Sequence, residues 1–417
     1  MNRIQRERKL TACVTKSTTS SGFSISQSRG SLAVQRVLYN PATQMDLDSL
    51  STPSLLLDLN RLKRNAQRIG DRVTQLGASL RPHVKTHKCI EVARIQTAGH
   101  SGAITVSTLA EARAFAANGF HDITYAVPIE PGKFQAAIEI SKACQSFNLI
   151  TDDPNVPPLL NAAAKHAGVV INLLVKIDCG YHRCGVEPHS AEAMEIPRYI
   201  SECSHLRFAG ILTHAGHSYH CSSREARLAV ASQERDVMRE VAERLRAGGI
   251  EVPVVSVGST PTITTVDHLE GIDEARPGNY IFFDAFQAAG GSCGFADCAL
   301  TVLAAVVHRD LHRRRVVVDA GAIALSKDRG PVEFDPGCGY GQLLDLEGNN
   351  LGFRIDSLSQ EHGEAAAEES TAIERLNVGD RVQVVPNHSC LTAAQHSHYN
   401  VIEDAQIIDR WEIQRGW

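Results

Sequence analysis

The chain has 417 residues, of which 43% are hydrophobic and 21% charged, and its net charge at pH 7 is −5. This length exceeds the size at which single hydrophobic cores stop growing, so two domains are expected. The negative charge argues against a nucleic acid or an acidic membrane as a partner, and no apolar run is long enough to span a bilayer. The eleven cysteines include no CxxC pair and are odd in number, which favours reduced thiols in a cytoplasmic protein.

The first 44 residues differ in composition from the rest of the chain. They are basic and rich in Ser and Thr, and Glu7 is their single acidic residue. Such a composition is typical of an organelle transit peptide. A disordered extension, or a start codon assigned too far upstream, is the alternative that we favour. Residues 1–44 are therefore set apart from the domain prediction.

From Ser54 onward the pattern becomes regular. The short apolar run Leu55–Leu57 precedes a segment, Leu59–Leu76, whose apolar residues recur at helical spacing. Strand patterns then alternate with helical ones. The predicted strands are Ser79–Lys85, Ile104–Val106, Ile123–Val127, Phe147–Thr151, Val170–Asp178, Phe208–His214, Val252–Val257 and Asn279–Phe283. This alternation predicts an α/β fold with a parallel sheet closed into a (β/α)8 TIM-type barrel. An open doubly wound sheet is the rival, but no GxGxxG motif follows a predicted strand.

The last third of the chain has a different pattern. After about Cys298, runs rich in β-branched residues are separated by Gly, Asp and Pro turns, which predicts a mostly antiparallel β domain. The acidic, alanine-rich segment Glu361–Arg375 is expected to be a solvated loop or a short helix. The predicted domains are therefore the barrel at residues 45–290, whose first strand could join the second domain, and the β domain at residues 291–417.

The segment Ser79–Lys88, which begins with the first predicted barrel strand, carries the first group of candidate functional residues. Its residues of one parity are Arg81, His83, Lys85 and His87. On a strand these side chains share one face, where cations and imidazoles are costly unless an anion lies nearby. Catalytic groups gather at the carboxyl ends of barrel strands, and a desolvated Lys85 beside other cations could form a Schiff base. A strand end exposed to water is the alternative. Lys88 has the other parity and is expected at the surface.

The second group lies in the loops after the late strands, in Ser256–Thr262 and Arg276–Tyr280. Barrels commonly bind phosphate in these loops. Gly258 lets the backbone approach an anion, and Ser259 and Thr260 add hydroxyl donors at the start of a helix. Structural turns without a ligand would produce the same residues, so these segments alone leave the question open.

Five segments together resemble a known family. They are Arg81–Lys88, Lys176–Gly185, Thr213–His217, Ser256–Pro261 and Arg276–Tyr280, in this order along the chain. They are similar to the alanine-racemase-like enzymes of fold-type III, which use pyridoxal 5'-phosphate (PLP), and most of all to the branch of D-serine dehydratases and D-threonine aldolases. The resemblance spans about residues 50–410. It implies a PLP-binding barrel with a β domain, assembled as a head-to-tail homodimer.

The resemblance also implies roles for single residues. Lys85 would hold PLP covalently, Arg276 would lie near the pyridine nitrogen, and the segments around Ser259 and Asn279 would bind the phosphate. With Arg276 there, the ring nitrogen would stay unprotonated and PLP would be a weaker electron sink. The residues that would contact the cofactor besides Lys85 are His83, Arg183, His214, Tyr219, Gly258, Ser259, Thr260, Arg276, Gly278, Asn279 and Tyr280.

A third candidate group is the pair His388 and Cys390, late in the β domain. Two residues apart on an extended segment, their side chains can aim at one point and bind a metal, although two ligands alone do not make a site. The resemblance implies that this position binds an activating divalent metal over PLP. Dehydratases of the branch typically have His-x-Cys there, whereas D-threonine aldolases more often have His-x-Asp. A thiolate with an imidazole favours zinc.

The sequence therefore predicts a PLP- and metal-dependent lyase that acts on small D-β-hydroxy amino acids. D-Serine or D-threo-3-hydroxyaspartate would lose water and yield a 2-keto acid and ammonia, with Lys85 as the base and the metal acting on the β-oxygen. A D-threonine aldolase is the main alternative, since it uses the same lysine and metal but produces glycine and an aldehyde. A racemase would need a second base, and a non-catalytic PLP-binding protein would lack the β domain.

Overall fold

The computed structural model describes residues 45–369 and 371–417, and the predicted transit-like or disordered extension, residues 1–44, lies outside them. The described residues belong to one compact unit. Among the described helices, none combines the length and the apolar character that crossing a bilayer demands. Two strands, β1 (Met45–Asp46) and β2 (Ser54–Asp58), come before the barrel.

The barrel is an eight-stranded parallel sheet. Its strands are β3 (Ser79–Leu80), β4 (Ile104–Val106), β5 (Asp122–Pro128), β6 (Ser146–Thr151), β7 (Ile171–Lys176), β8 (Leu206–Leu212), β9 (Val255–Val257) and β10 (Glu274–Ala275). β10 lies between β9 and β3 in the sheet. A parallel bridge between His83 and Thr105, with a 2.9 Å hydrogen bond from the Thr105 N–H to the Pro82 carbonyl, joins the β3 and β4 ends. The predicted (β/α)8 barrel is confirmed.

Nine helices of this part of the chain surround or cap the strands. They are α1 (Leu59–Gln75), α2 (Ile90–Thr97), α3 (Leu109–Ala117), α4 (Phe134–Ser141), α5 (Val156–Ala167), α6 (Glu192–Glu202), α7 (Arg224–Ala247), α8 (Thr260–Thr265) and α9 (Ala285–Ala289). The Asp58 carboxylate caps α1 by accepting the Arg61 N–H at 2.8 Å. Gly77, with φ of 78°, ends the same segment in the left-handed conformation that glycine tolerates best.

Two predicted barrel strands need correction. The strand that begins at Ser79 ends at Leu80 rather than Lys85, since Pro82 has no N–H and the chain then enters a 3-10 turn at Val84–Thr86. The eighth strand is β10, and the predicted strand Asn279–Phe283 is wrong, because Asn279–Ile281 is a 3-10 turn. A short buried apolar run cannot be told from a strand by its pattern alone.

The β domain is a mostly antiparallel sheet, as predicted. Its strands are β11 (Leu300–Asp310), β12 (Arg315–Val318), β13 (Gly341–Leu344), β14 (Asn350–Leu358), β15 (Gly363–Ala367), β16 (Arg381–Pro386), β17 (His398–Glu403) and β18 (Gln406–Glu412). β2 lies between β17 and β11, and the additional pairing of β11 with β16 closes part of the sheet. The acidic segment Glu361–Arg375 is not simply a loop or a helix, because β15 and a 3-10 turn, Ala372–Arg375, occupy it.

Two short helices complete this domain, α10 (Ala322–Leu325) and α11 (Ser389–Ala393). α11 contacts the 3-10 turn Val84–Thr86 at the mouth of the barrel. The β domain therefore lies against the end of the barrel at which the carboxyl ends of the strands meet, where barrels carry their functional groups.

Candidate cofactor and metal site

Lys85 lies at the mouth of the barrel, in the 3-10 turn that follows β3. The His83 ring caps this turn, since its Nδ1 accepts the Lys85 N–H at 3.4 Å. The amine is accessible from the mouth although protein groups surround it on most sides. Desolvation by these groups lowers the pKa of Lys85, and the charge of Arg183 adds to this shift, whereas Cys390 opposes it. A lysine in such surroundings has more neutral amine at physiological pH than an exposed one.

Two neutral imidazoles lie beside this lysine. Burial lowers the pKa of His83 well below its usual value, and the charges of Lys85 and Arg276 lower it further. Burial and then Lys85 lower the pKa of His214 to about 3. The His214 Nδ1 donates to the Gly258 carbonyl at 2.9 Å, which fixes its tautomer and its orientation. Both rings are therefore uncharged hydrogen-bonding groups.

Arg276 is buried below them at the end of β10. Its guanidinium donates to the Ser256 hydroxyl and the Thr213 carbonyl, so it is fixed against the ends of β9 and β8. Burial lowers the pKa of Arg276, with an opposing effect of Glu274. A guanidinium remains charged even so, so a fixed positive charge lies at this depth of the barrel.

The two glycine-containing segments meet at the start of α8. Ser259 caps α8, since its hydroxyl accepts the Thr262 N–H and the Thr262 hydroxyl accepts the Ser259 N–H, both at 3.2 Å. The Thr260 hydroxyl accepts the Tyr280 N–H at 3.1 Å and so joins one segment to the other. Burial raises the pKa of Tyr219, and the backbone of Thr260 opposes this shift, which places Tyr219 beside the same helix start. The hydroxyl groups predicted at a phosphate site therefore gather around one short helix start.

Both glycines stand where a side chain would not fit. A Cβ on Gly258, whose φ is 142°, would lie 2.5 Å from the Arg276 backbone nitrogen. A Cβ on Gly278 would lie 2.9 Å from the His83 carbonyl oxygen. These contacts bring the Gly278 segment against the turn that carries Lys85. The side chain of Tyr280, by contrast, lies near Gln96 in the core rather than at the mouth.

The charges at the mouth fit an anionic cofactor such as PLP. Within the described ranges, neither Lys85 nor Arg183 forms an ion pair, although Lys85 is enclosed by protein groups. The Asn279 Oδ1 is buried and has no hydrogen-bond partner. A buried unsatisfied polar atom costs free energy in a folded protein, and two cations without ion-pair partners attract an anion. A ligand with a phosphate and an aldehyde would offset this cost.

His388 and Cys390 form the candidate metal site at the start of α11. The His388 Nδ1 lies 2.6 Å from the Asp328 Oδ2, which leaves Nε2 for a metal. Burial raises the pKa of Cys390, but the charge of His388 and the hydrogen bonds with His388 and Thr86 together outweigh burial, so the pKa of this thiol is lowered. An imidazole oriented by a carboxylate and a polarised thiol are the donors that zinc prefers. The residues present therefore fit a zinc ion.

Asp284, which the sequence pattern did not single out, connects this metal site to the phosphate segment. Its Oδ2 accepts from the Asn279 side chain at 2.7 Å and from the Ser389 N–H at 2.9 Å. The Asn279 amide also lies 3.7 Å from the Cys390 Sγ. Residues of the barrel and of the β domain thus share one hydrogen-bond network around a single carboxylate.

Glu234, on α7, is a second residue that the sequence pattern missed. Its Oε1 accepts the Ala215 N–H at 3.0 Å and the Gly258 N–H at 3.1 Å. Burial raises the pKa of Glu234, and the two backbone hydrogen bonds oppose this shift. One carboxylate therefore holds together the loops that carry His214 and Gly258. A lone acid on the buried face of an amphipathic helix is the signal that could have revealed it.

Arg81 forms ion pairs with Glu274 and Asp122 inside the barrel, in agreement with the inward face that strand parity predicts. Two other predictions drawn from strand parity need correction. His87 is fully buried in the core, where its Nε2 lies 2.9 Å from the Gln96 Oε1. Lys88 is not ordinary surface, since it pairs with the buried carboxylate of Glu111. The strand ends before these positions, so alternation no longer decides where the side chains point.

Two family models match the chain. Residues 57–285 match "Alanine racemase, N-terminal domain", and residues 299–402 match "Putative serine dehydratase domain". A D-threo-3-hydroxyaspartate dehydratase of Delftia sp. (strain HT23) is 38% identical over 90% of this chain and 100% of its own. A D-serine dehydratase of Dictyostelium discoideum is 33% identical over 89% of this chain and 98% of its own. A D-threonine aldolase of Arthrobacter sp. is 28% identical over 89% of this chain and 94% of its own.

Solved structures give the same picture. The Delftia dehydratase superposes with a TM-score of 0.87 over 90% of this chain and 100% of its own, at 38% identity. A cysteine-to-alanine mutant of that enzyme, described as the metal-free form, gives a TM-score of 0.86. PLP is the cofactor expected of this family. The matches and the fold show that this chain belongs to the alanine-racemase-like, fold-type III family of PLP enzymes, in the branch of dehydratases and aldolases.

Proposed function

We propose that this protein is a PLP- and metal-dependent lyase that eliminates water from a D-β-hydroxy amino acid. D-threo-3-Hydroxyaspartate and D-serine are the proposed substrates, and a 2-keto acid and ammonia are the products. One observation carries the proposal: the thiol of Cys390 donates to the hydroxyl of Thr86, the neighbour of Lys85, at 3.3 Å. A candidate metal ligand and a candidate base therefore face one space. The names of the dehydratase relatives support the same reaction.

Each group at the mouth has a proposed part in holding PLP. Lys85 would bind its aldehyde carbon, and the start of α8 with Ser259 and Thr260 would bind its phosphate. Arg276 would face the pyridine nitrogen. When bound, PLP draws electron density from the substrate Cα, and the metal polarises the β-oxygen. His83, His214 and Tyr219 are also proposed to contact PLP, because the two imidazoles lie beside Lys85 and Tyr219 lies beside the start of α8.

Lys85 is the proposed base. Its lowered pKa makes the neutral amine available to accept the Cα proton. A single lysine reaches a single face of the substrate, which restricts the reaction to one configuration at Cα. Arg183 acts on Lys85 from the loop after β7, and its guanidinium is suited to an anionic group of the substrate or cofactor.

Zinc is the proposed metal, held by His388 and Cys390. Hydroxide is a poor leaving group. A Lewis acid that polarises the β-oxygen would make its departure easier. Asp328 holds the His388 ring through Nδ1, so that Nε2 would be the nitrogen available to the metal. The metal-free form described for a cysteine mutant of the Delftia dehydratase supports a cysteine ligand in this branch.

The proposal is tested by assaying the products from D- and L-serine, D- and L-threonine and both threo-3-hydroxyaspartates. We expect keto acid and ammonia from the D-substrates, and no turnover of the L-substrates. Glycine with an aldehyde would instead favour the aldolase function, which the aldolase relative supports. The appearance of the opposite enantiomer would favour a racemase. Equal turnover of both configurations would contradict a single base.

The family resemblance further supports a homodimer. The cysteine usage supports a cytoplasmic location, with organelle targeting by residues 1–44 as the alternative. A dimer predicts a mass by light scattering of twice the 45.2 kDa chain. A mass equal to one chain would contradict it. Fluorescent fusions with and without residues 1–44 would decide the location, since only a targeting segment changes it on removal.

A further inference from the structure

A second lysine, Lys176, points into the barrel at the end of β7. It has the parity of Leu174, which packs with Ile150 and Leu212 in the small apolar cluster inside the barrel. Only 5% of Lys176 is exposed. Within the described residues its Nζ has one polar partner, the Sγ of Cys184, at 2.7 Å, and no carboxylate. A buried amine that has only a thiol for a partner is expensive to maintain unless the pair has a purpose.

The separation of these two atoms is unusually short. Hydrogen bonds from nitrogen to the smaller oxygen atom already span about 2.7–3.2 Å, so 2.7 Å to sulfur is at the limit of non-bonded contact. This distance between Nζ and Sγ is longer than a direct nitrogen–sulfur bond, and it is suitable for two atoms that are joined through a single bridging atom. The pair is therefore spaced as the two ends of a one-atom link.

The backbone holds Cys184 in this place. The Val186 N–H donates to the Lys176 carbonyl at 2.8 Å, and the Asp178 N–H donates to the Val186 carbonyl at 2.9 Å. The Gly185 N–H donates to Asp152 at 2.7 Å, and a Cβ on Gly185 would lie 2.6 Å from the Asp178 nitrogen. The residues that follow Cys184 are thus pinned to the end of β7.

We propose that Lys176 and Cys184 form a redox-sensitive pair, in which hydrogen peroxide links Nζ to Sγ through one oxygen atom. One peroxide oxidises the thiol to a sulfenic acid and is reduced to water. A second peroxide takes one hydrogen from the Lys176 amine and one from the sulfenic acid, and yields two waters as the N–O bond forms. A dithiol reductant reverses the link and regenerates the amine and the thiol.

The pair lies next to Arg183, so its oxidation would affect the segment that carries this arginine. Cys184 directly follows Arg183, whose charge acts on Lys85. Cys184 is partly exposed, so a small oxidant can reach it. A covalent link from Lys176 to Cys184 would close the loop between them and fix the segment that carries Arg183. Oxidation would then stiffen one wall of the barrel mouth.

The test treats the purified full chain with graded hydrogen peroxide, then alkylates free thiols and digests with trypsin. We expect a cross-linked species about 14 Da heavier than the summed mass of its two segments, one with Lys176 and one with Cys184, with the amine and the thiol free, because one oxygen is gained and two hydrogens are lost. Cleavage after Lys176 should be lost, and dithiothreitol should restore it. Cys184→Ser should remove the species, as should Lys176→Met. Cys184→Ala is a second variant that keeps Lys176 and removes only the sulfur, so it should also lack the cross-linked species.

Cys221→Ser is the matched control. Cys221 is another partly buried thiol at this end of the barrel, but it donates to the His217 carbonyl rather than contacting an amine. This variant should form the link as the unmodified sequence does. Three outcomes would overturn the proposal: Cys184 alkylated fully after peroxide, Cys184 found only as sulfinic acid or disulfide, or a link to a different lysine.

Discussion

The thiol of Cys390 donates a hydrogen bond to the hydroxyl of Thr86 at 3.3 Å, although 304 residues separate them in the chain. Thr86 follows Lys85 in the turn at the mouth of the barrel, and Cys390 lies at the start of α11 in the β domain. This contact brings the turn that carries Lys85, the candidate Schiff-base lysine, against the segment that carries Cys390, the candidate metal ligand.

Replacing Lys85 and Lys88 separately should give different results. Lys85→Ala should abolish the borohydride-reducible PLP adduct and the lyase activity, because this amine faces the mouth. Lys88→Ala should keep the adduct but lower the free energy of unfolding by about 2 kcal/mol or more, since the buried Glu111 loses its cation. Peptide mapping and urea titration measure the two effects. An adduct on Lys88 would refute the assignment of Lys85.

Stability should fall as the solution becomes acidic, because buried His87 must remain neutral. Burial lowers the pKa of His87 from 6.5 to about 3. The unfolded chain therefore binds a proton that the folded chain rejects, and stability is lost as the pH falls from about 6.5 toward 3. His87 alone contributes a loss of about 1 kcal/mol between roughly pH 7.5 and 5.5. His87→Gln should reduce this loss in urea titrations, and an unchanged loss would exclude His87 as a source.

Glu234→Ala should weaken the binding of PLP without removing Lys85 chemistry. Glu234 holds the backbone N–H groups of Ala215 and Gly258, and hydrogen bonds to a charged group contribute about 1.5–3 kcal/mol. Loosened loops should raise the Kd for PLP about 10-fold or more. Glu240→Ala, on the exposed face of the same helix, is the matched control. Equal affinities for both variants would show that Glu234 is only structural.

The sequence predicted the barrel, the β domain and the main chemical groups because each leaves a local signal. Strands and helices alternate over the whole barrel, and the segments around Lys85, Ser259 and His388 carry polar residues where apolar ones are the rule. The pattern misplaces the eighth strand because Asn279–Phe283 is mostly apolar, yet its first three residues form a 3-10 turn. The two-residue strand β10 leaves almost no pattern of its own.

The residues that connect the groups could not be predicted in this way. Asp284 contacts Ser389 only because the β domain folds back onto the barrel. Asp328 contacts His388 because two segments of the β domain, 60 residues apart in the chain, meet in the fold. Hydrogen bonds between such distant residues leave no periodicity. Parity does not predict the position of His87, because alternation of side chains holds only within a strand and β3 ends at Leu80.

The metal site supplies the last prediction. Asp328 fixes the His388 ring at 2.6 Å, and loss of such a partner typically weakens metal binding 10–100-fold, by about 1.4–2.7 kcal/mol. Asp328→Asn should therefore lower zinc affinity by about this factor in competition with a chromophoric chelator, while PLP absorbance stays the same. Cys390→Ala should lose zinc altogether, and chelator treatment of the unmodified enzyme should abolish turnover until zinc returns.

Asp335→Asn is the control for this change, because Asp335 lies in the same connection between β12 and β13 but pairs with Arg354 rather than with a metal ligand. Zinc affinity should be unchanged in this variant. If Asp328→Asn bound zinc as tightly as the control, the carboxylate would have no part in orienting His388. Full turnover by protein shown to be free of metal would remove the Lewis acid from the mechanism, and an elimination driven by Lys85 and PLP alone would take its place.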